Sequence, residues 1–300
     1  MQCYSPLLKL HFMFLIYKRL VTIFILAIAT LDTQAQETKK ETDTTIEKSY
    51  FKVEGNFISN AVYLGRKDSA ITPYFTPSIG YYHKSGFFIN ASLSFLTTQS
   101  RIDVSTITAG YNFMLGESFG AGVYAEKYFY NGSSTNVQAE TKGTVGVSAN
   151  YDIANIISIN GGVDFLFSNN TDIITTLGLG HSIYAGTDAK HFTFTPSISL
   201  NAGTQKFYGA IRKSKRRPRP NQNPNFINNI KVNGDDEFRL LNYELSLPIN
   251  YDTNKWGAYF TPYYALPQNP VSVTGPGGNT FNIEKLENVF YAEVGIYFKF

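Results

Sequence analysis

From Tyr50 to the C-terminus, hydrophobic and polar residues alternate with a period of two, in segments divided by turn residues. The final stretch shows it most clearly. Phe290, Ala292, Val294, Ile296, Phe298 and Phe300 fall on one face, and Tyr291, Glu293, Gly295, Tyr297 and Lys299 on the other. Successive side chains of a strand point to opposite faces, so the pattern predicts a strand with one apolar and one polar side. Leu241, Tyr243, Leu245, Leu247 and Ile249 stand likewise against Asn242, Glu244, Ser246 and Asn250, and Ile157, Ile159, Val163 and Phe165 against Ser158, Asn160 and Asp164. Twelve such segments are predicted, roughly 50–64, 71–82, 87–97, 102–114, 119–130, 137–151, 156–167, 173–185, 191–209, 237–251, 255–267 and 287–300. None carries a 3.6-residue period, so the class is all-β. In the fourth, Ile102 and Val104 are out of phase with Ile107, Ala109, Tyr111 and Phe113, which predicts a bulge near Ser105.

A soluble sandwich also alternates. Three further features select a single transmembrane antiparallel up-and-down β-barrel of about 12 strands spanning 49–300. The two long gaps, 210–236 and 268–286, are the ninth and eleventh, both odd-numbered, as short turns at one barrel end and long loops at the other require. The strand number is even, which places both chain ends on the short-turn side. Aromatic residues crowd strand ends (Tyr81-Tyr82, Phe87-Phe88, Tyr128-Phe129-Tyr130, Phe207-Tyr208, Tyr263-Tyr264), where interfacial girdles sit. Composition agrees. Of 300 residues 43% are hydrophobic, 15% aromatic and 16% charged, which excludes disordered and collagen-like chains. The mean hydropathy of -0.16 and the lack of a long apolar run after residue 36 exclude membrane helices. A barrel stays open, because only alternate residues meet lipid.

Residues 1–35 read as a secretory signal peptide: Lys18-Arg19, the apolar run Leu20–Leu31, then Thr33 and Ala35 as small residues before a cut after Ala35. Met13 is an alternative start. The sole cysteine, Cys3, leaves with this segment. Residues 36–48 form a polar periplasmic tail, too short for the plug domain of an energised transporter. The net charge of +3 over the whole chain implies no nucleic-acid partner.

The terminal Phe298-Lys299-Phe300, with the alternating residues before it, resembles the C-terminal signal of Gram-negative outer-membrane β-barrel proteins. The resemblance implies a cell outer-membrane location, contact with membrane lipid, and recognition of Phe298 and Phe300 by the barrel-assembly machinery. It implies no activity. The tripeptide Phe-Thr-Pro recurs at 75–77, 194–196 and 260–262 inside predicted strands. Proline deletes a ladder hydrogen bond, so three local bulges are expected.

Little in the chain points to catalysis. Past the leader the histidines are His83, His181 and His191, and His181 and Ser182, as strand neighbours, face opposite ways. Metal-ligand spacing is lacking, no cofactor motif occurs, and Gly275-Pro276-Gly277-Gly278 lacks the Lys and Ser/Thr of a phosphate loop. Asp235-Asp236 beside Asn233-Gly234 reads as a solvated turn. The chain is not expected to be an enzyme. The inner face is expected to carry Lys52, Glu54, Glu126, Glu140, Lys142, Asp164, Glu244, Glu293 and Lys299, six acids against three bases. This suits a narrow passive pore for small solutes or ions with mild cation preference. The alternative is a non-conducting structural or surface-binding barrel. Arg212, Lys213, Lys215, Arg216, Arg217 and Arg219 concentrate positive charge in the longest external loop, where lipopolysaccharide phosphates are the expected polyanion.

Overall fold

The computed structural model describes residues 48–67, 71–116, 118–134, 136, 138–153, 156–187, 189–206, 231–274, 278, 280–282 and 286–300. The leader, most of the tail and the basic loop lie outside the described residues. The barrel belongs to the unit Asp43–Phe300.

Twelve strands form, one for each alternating segment. They are β1 (Tyr50–Ile58), β2 (Tyr74–Tyr82), β3 (Phe87–Leu96), β4 (Arg101–Leu115), β5 (Phe119–Tyr130), β6 (Gly143–Ile153) and β7 (Ile157–Phe167). There follow β8 (Thr171–Gly180, continued by Ile183–Thr187), β9 (Lys190–Phe194 and Ser197–Gly203), β10 (Arg239–Ser246 and Ile249–Thr253), β11 (Trp256–Pro267) and β12 (Val289–Lys299). Each pairs antiparallel with its sequence neighbours, and β12 returns to β1 through the register Lys52↔Lys299 to Ile58↔Glu293. Phe51 and Phe300 extend that seam by exchanging backbone hydrogen bonds of 3.1 and 2.9 Å. The sheet is closed. The even-numbered connections are 83–86, 116–118, 154–156, 188–189 and 254–255, and the long ones (59–73, 131–142, 204–238 and 268–288) are all odd-numbered. By that parity the long-loop end is the external one.

Burial is inverted relative to a soluble protein. The exposed side chains of β12 are its apolar ones, Phe290, Val294, Ile296 and Phe298, while Tyr291, Glu293, Tyr297 and Lys299 turn inward. Phe57, Phe75, Phe95, Phe129, Phe165, Tyr243, Tyr264 and Phe290 ring the external end of the outer face. Phe51, Tyr81, Phe87, Tyr111, Tyr151, Phe192, Tyr251 and Trp256 ring the other end. An apolar belt between two aromatic girdles is the surface a bilayer requires.

The strands depart at several points from the pattern read in the sequence. The first strand ends at Ile58, not residue 64, and residues 62–67 fold back as a hairpin, Val62-Tyr63 against Arg66-Lys67. Leu64 and Gly65 at its tip have φ of 51° and 75°, the two positive angles of a type I′ turn. The fourth strand does bulge, at Asp103: Phe95 pairs with Ile102 and Ser94 with Val104. A second bulge, at Leu241, was not expected. Asn201 faces Asn242 and Ala202 faces Leu240, so the extra residue turns Leu241 inward to 0% exposure, off the outer face assigned to it by alternation.

The Phe-Thr-Pro sites are interruptions of the ladder rather than bulges. Pairing of β2 with β3 skips Thr76-Pro77, and β9 breaks between Phe194 and Ser197. Pairing of β10 with β11 jumps from Ser246↔Tyr263 to Ile249↔Phe260. Each break keeps a substitute bond. Thr76 Oγ1 donates to Ser94 Oγ at 3.0 Å, Thr195 N–H to Pro248 C=O at 2.9 Å, and Leu247 N–H to Pro262 C=O at 3.2 Å.

Two substitutions test the inversion. Val294→Arg, in the middle of the lipid belt, is expected to cost about 2–4 kcal/mol. Ser148→Lys, on the solvated inner face, is expected to stay within about 0.5 kcal/mol of wild type. Urea unfolding in lipid vesicles measures both, and equal losses would contradict the assignment of faces.

Candidate functional site: the barrel interior

The inner wall is built from carboxylates held by tyrosine hydroxyls. Alternation brings Glu54 of β1, Tyr259 of β11 and Glu293 of β12 to one level, because Glu54 lies opposite Tyr297 and Gly295 opposite Tyr259. Tyr259 OH donates to Glu54 Oε1 at 2.7 Å and to Glu293 Oε1 at 3.3 Å, and Asn56 Nδ2 donates to Glu293 Oε1 at 2.9 Å. Lys52 Nζ lies 2.6 Å from Glu54 Oε2. Tyr291 OH donates to Glu244 at 2.8 Å, and the Tyr263 and Tyr291 rings stack at 4.6 Å. Tyr297 OH donates to Asp252. On the opposite wall Tyr124 OH donates to Asp164 at 2.7 Å, Tyr128 OH to Glu126 at 2.7 Å, and Tyr74 OH to Asp103 at 2.6 Å. A phenol satisfies a carboxylate without cancelling its charge. Lys52 offsets Glu54 and Arg101 offsets Asp103, and the wall stays acidic through Glu126, Asp164, Glu244, Asp252 and Glu293.

The rings lie along the wall rather than across the barrel. A Cβ on Gly295 would sit 2.4 Å from the Tyr259 ring, and one on Gly257 2.5 Å from the Tyr297 ring. Glycine on one strand thus makes room for the aromatic of the next, and the ring spans its neighbour instead of the lumen. Solvent enters as a result: Asn112, Ser148 and Asn160 point inward from β4, β6 and β7, yet are exposed. At the short-turn end Tyr50 and Tyr82 stack at 5.0 Å, and Lys299 Nζ lies 5.7 Å from the Tyr50 ring and 5.5 Å from that of Tyr297.

The hairpin 62–67 is set inside the external end. Tyr63 and Leu64 of the hairpin pack on Leu166, Ile174 and bulged Leu241, and Val62 packs on a second apolar cluster of Ala265, Val289 and Tyr291. Burial, and after it the charges of Tyr128 and Asp172, push the Tyr63 phenol well above its ordinary pKa. Arg66, 3% exposed, donates to the carbonyls of Leu64 (2.8 Å), Leu241 (3.0 Å), Gln268 (2.8 Å) and Asn269 (3.3 Å). Between this loop and residues Asn136 and Gln138 lies a cavity of about 150 Å³, lined also by Ile58, Val62 and Thr72.

Of the residues expected to line the lumen, Lys52, Glu54, Glu126, Asp164, Glu244, Glu293 and Lys299 point inward from their strands. Glu140 and Lys142 do not lie on a strand, since β6 begins at Gly143 rather than 137, and Lys142 is exposed with Nζ 3.4 Å from Asn169 Oδ1. The cations of residues 212–219 lie outside the described residues, as do Gly275-Pro276-Gly277. Phe298 and Phe300 face outward on the closing strand. Asp235 is only half-buried, and desolvation, with the charge of Asp236 behind it, raises its carboxyl above the ordinary value. His83 sits in the turn 83–86 with Nδ1 2.9 Å from Ser85 Oγ, and His181 contacts the Ile156 carbonyl where β8 is interrupted.

Sequence reasoning missed Asp103, Asp172 and Arg66. Asp103 is fully buried, held by Arg101 at 2.7 Å and Ser134 Oγ at 2.6 Å, and it occupies the bulge that hid its phase. Asp172 accepts from Thr204 Oγ1 and Lys206 N–H, both at 2.7 Å, and lay one residue outside the predicted segment. Arg66 follows a tight turn and carries no alternation at all.

No family model matches the chain, and no curated protein does. Among solved structures it is similar to the KdgM porin (7% identity, TM-score 0.45, covering 83% of this chain and 99% of that one) and the NanC porin (9%, 0.44, 83% and 100%). It is also similar to an outer-membrane channel from Pseudomonas putida F1 (12%, 0.44, 88% and 100%). The barrel is of the outer-membrane type. That statement rests on the closed ladder and the inverted faces, and likeness at this level adds nothing about solute or partner.

The fit of ring to glycine is testable. Gly295→Ala forces Tyr259 off Glu54 and is expected to cost about 1–3 kcal/mol by overpacking. Adding Tyr259→Ala should recover part of that loss in the same urea titration. Additive losses in the double variant would show that the two sites do not interact.

Proposed function

We propose that the protein is a passive conduit for small solutes or ions across the outer membrane, with a mild preference for cations. The observation that carries this reading is the solvated, acidic inner wall: carboxylates from β5, β7, β10 and β12 are held by neutral tyrosines, with rings laid flat so that Ser148 and Asn160 stay wet. Fixed charge of one sign around a pore concentrates counter-ions of the other. Purified protein in planar bilayers is expected to give discrete conductance steps and a reversal potential displaced toward cations. In Glu54→Gln/Glu293→Gln the displacement should shrink while the steps persist. Absence of steps from the wild type and from every variant that opens the lumen would favour the structural reading.

A second role belongs to the connection 204–238. What supports it is its position between β9 and β10 at the long-loop end together with six cations in residues 212–219. Binding to lipopolysaccharide phosphates is expected to weaken when all six become Gln, and to fall steeply with salt, since exposed charges are screened over about 10 Å at 0.1 M. Unchanged binding would reduce the loop to a solvated tether.

A further inference from the structure

The hairpin 62–67 has no place in the ladder that closes the barrel, yet it is among the most deeply set parts of the described chain. It leaves the wall after Ile58 and returns at Tyr74, and Ala61 N–H bonds Thr72 C=O at 2.9 Å, so the loop is pinched at its base and self-contained. From that base it turns into the external mouth. Gly65 rests on Asn242 and Pro267, with its missing Cβ position 2.9 Å from Asn242 Cβ. The Arg66 guanidinium ties the hairpin to the wall through carbonyls of the β10 bulge (Leu241) and the start of the last connection (Gln268, Asn269).

Resting on the conduit reading above, we propose that this hairpin is the constriction of the conduit, with Arg66 as the residue that fixes its bore. Three features point this way. The hairpin packs into two apolar clusters in the lumen, one with bulged Leu241, Leu166 and Ile174 and one with Ala265, Val289 and Tyr291, and apolar surface at a narrow point resists wetting. Arg66, buried and bonded to four carbonyls, fixes the hairpin across the mouth. Closure is also imperfect: Asn242, fully buried beneath Gly65, has neither Oδ1 nor Nδ2 hydrogen-bonded, and Gln205 Oε1 is likewise unpartnered. Buried polar groups without partners oppose the state that buries them. The hairpin can therefore yield to a solute that offers Asn242 and Gln205 hydrogen bonds, which makes those two amides the polar contacts of the constriction. Lysine at 66 cannot reproduce the fork that reaches four carbonyls.

The test compares wild type, Arg66→Ala, Arg66→Lys and a variant in which residues 62–71 are replaced by two glycines across the Ala61–Thr72 pinch. Only variants that keep the faster gel migration of an unboiled barrel are carried forward, and the truncation keeps the test alive if Arg66 variants do not fold. Single-channel conductance is expected to rise at least twofold in Arg66→Ala and in the truncation, and less in Arg66→Lys. An independent readout uses Asn242→Cys in a Cys3→Ser background: labelling by a small membrane-impermeant maleimide is expected to be at least tenfold faster once Arg66 is Ala. Equal conductance and equal labelling across the set would overturn the constriction and leave the conduit reading standing. Silence of every variant in bilayers, with labelling still accelerated, would overturn the conduit reading while showing that the hairpin covers Asn242 and moves. Steps that appear only when the hairpin is cut would show a constriction shut in the wild type and support the inference in its strongest form.

Discussion

Everything in this molecule follows from the need to satisfy backbone N–H and C=O groups where there is no water. Within a bilayer an unpaired peptide group costs several kcal/mol, so a sheet that crosses it must have no edge. The pairing of β12 with β1, extended to Phe51 and Phe300, removes the last edge. Where proline deletes a ladder donor, the wall keeps other bonds across the gap: Thr76 to Ser94, Ser182 to Thr195, Thr195 N–H to Pro248 C=O, and Leu247 N–H to Pro262 C=O. Three of these breaks fall on consecutive strand pairs from β8 to β11. Between β8 and β11 neighbouring strands are therefore held to one another by fewer ladder bonds at the level of these breaks.

Closing the sheet with its apolar face outward leaves polar side chains to fill the inside, where they must satisfy one another. Tyrosine does most of this. Its hydroxyl reaches a carboxylate on an adjacent strand, and its ring covers a neighbouring glycine. Because the donor is neutral, the acids keep their charge, and the arrangement that stabilises the wall also gives it an electrostatic character. Bulges at Asp103 and Leu241 add local exceptions near the external end. There an acid is locked by Arg101, and a leucine is turned in to meet the hairpin. Structural and functional demands meet in the same residues, so a change at Tyr259 or Glu54 affects both.

The features that depend on repetition could be read directly from the chain. Twelve strands, an all-β class, a loop parity and an outward apolar face were legible because a period of two persists over each strand and lipid rewards it at every second residue. Seven of the nine expected lumen residues lie on strands in the phase that alternation assigns. Glu140 and Lys142 depart because a strand's beginning is set by where its partners start pairing, and Lys127↔Gly143 begins that ladder. What breaks the period emerges in three dimensions. A bulge shifts every later side chain by one, and nothing local in Arg101-Ile102-Asp103 or Leu240-Leu241-Asn242 says which residue is the extra one. The hairpin 62–67 is more hidden still, since its place is fixed by contacts to Leu166, Leu241 and Asn269, residues some hundred to two hundred positions away that only the closed barrel brings within reach.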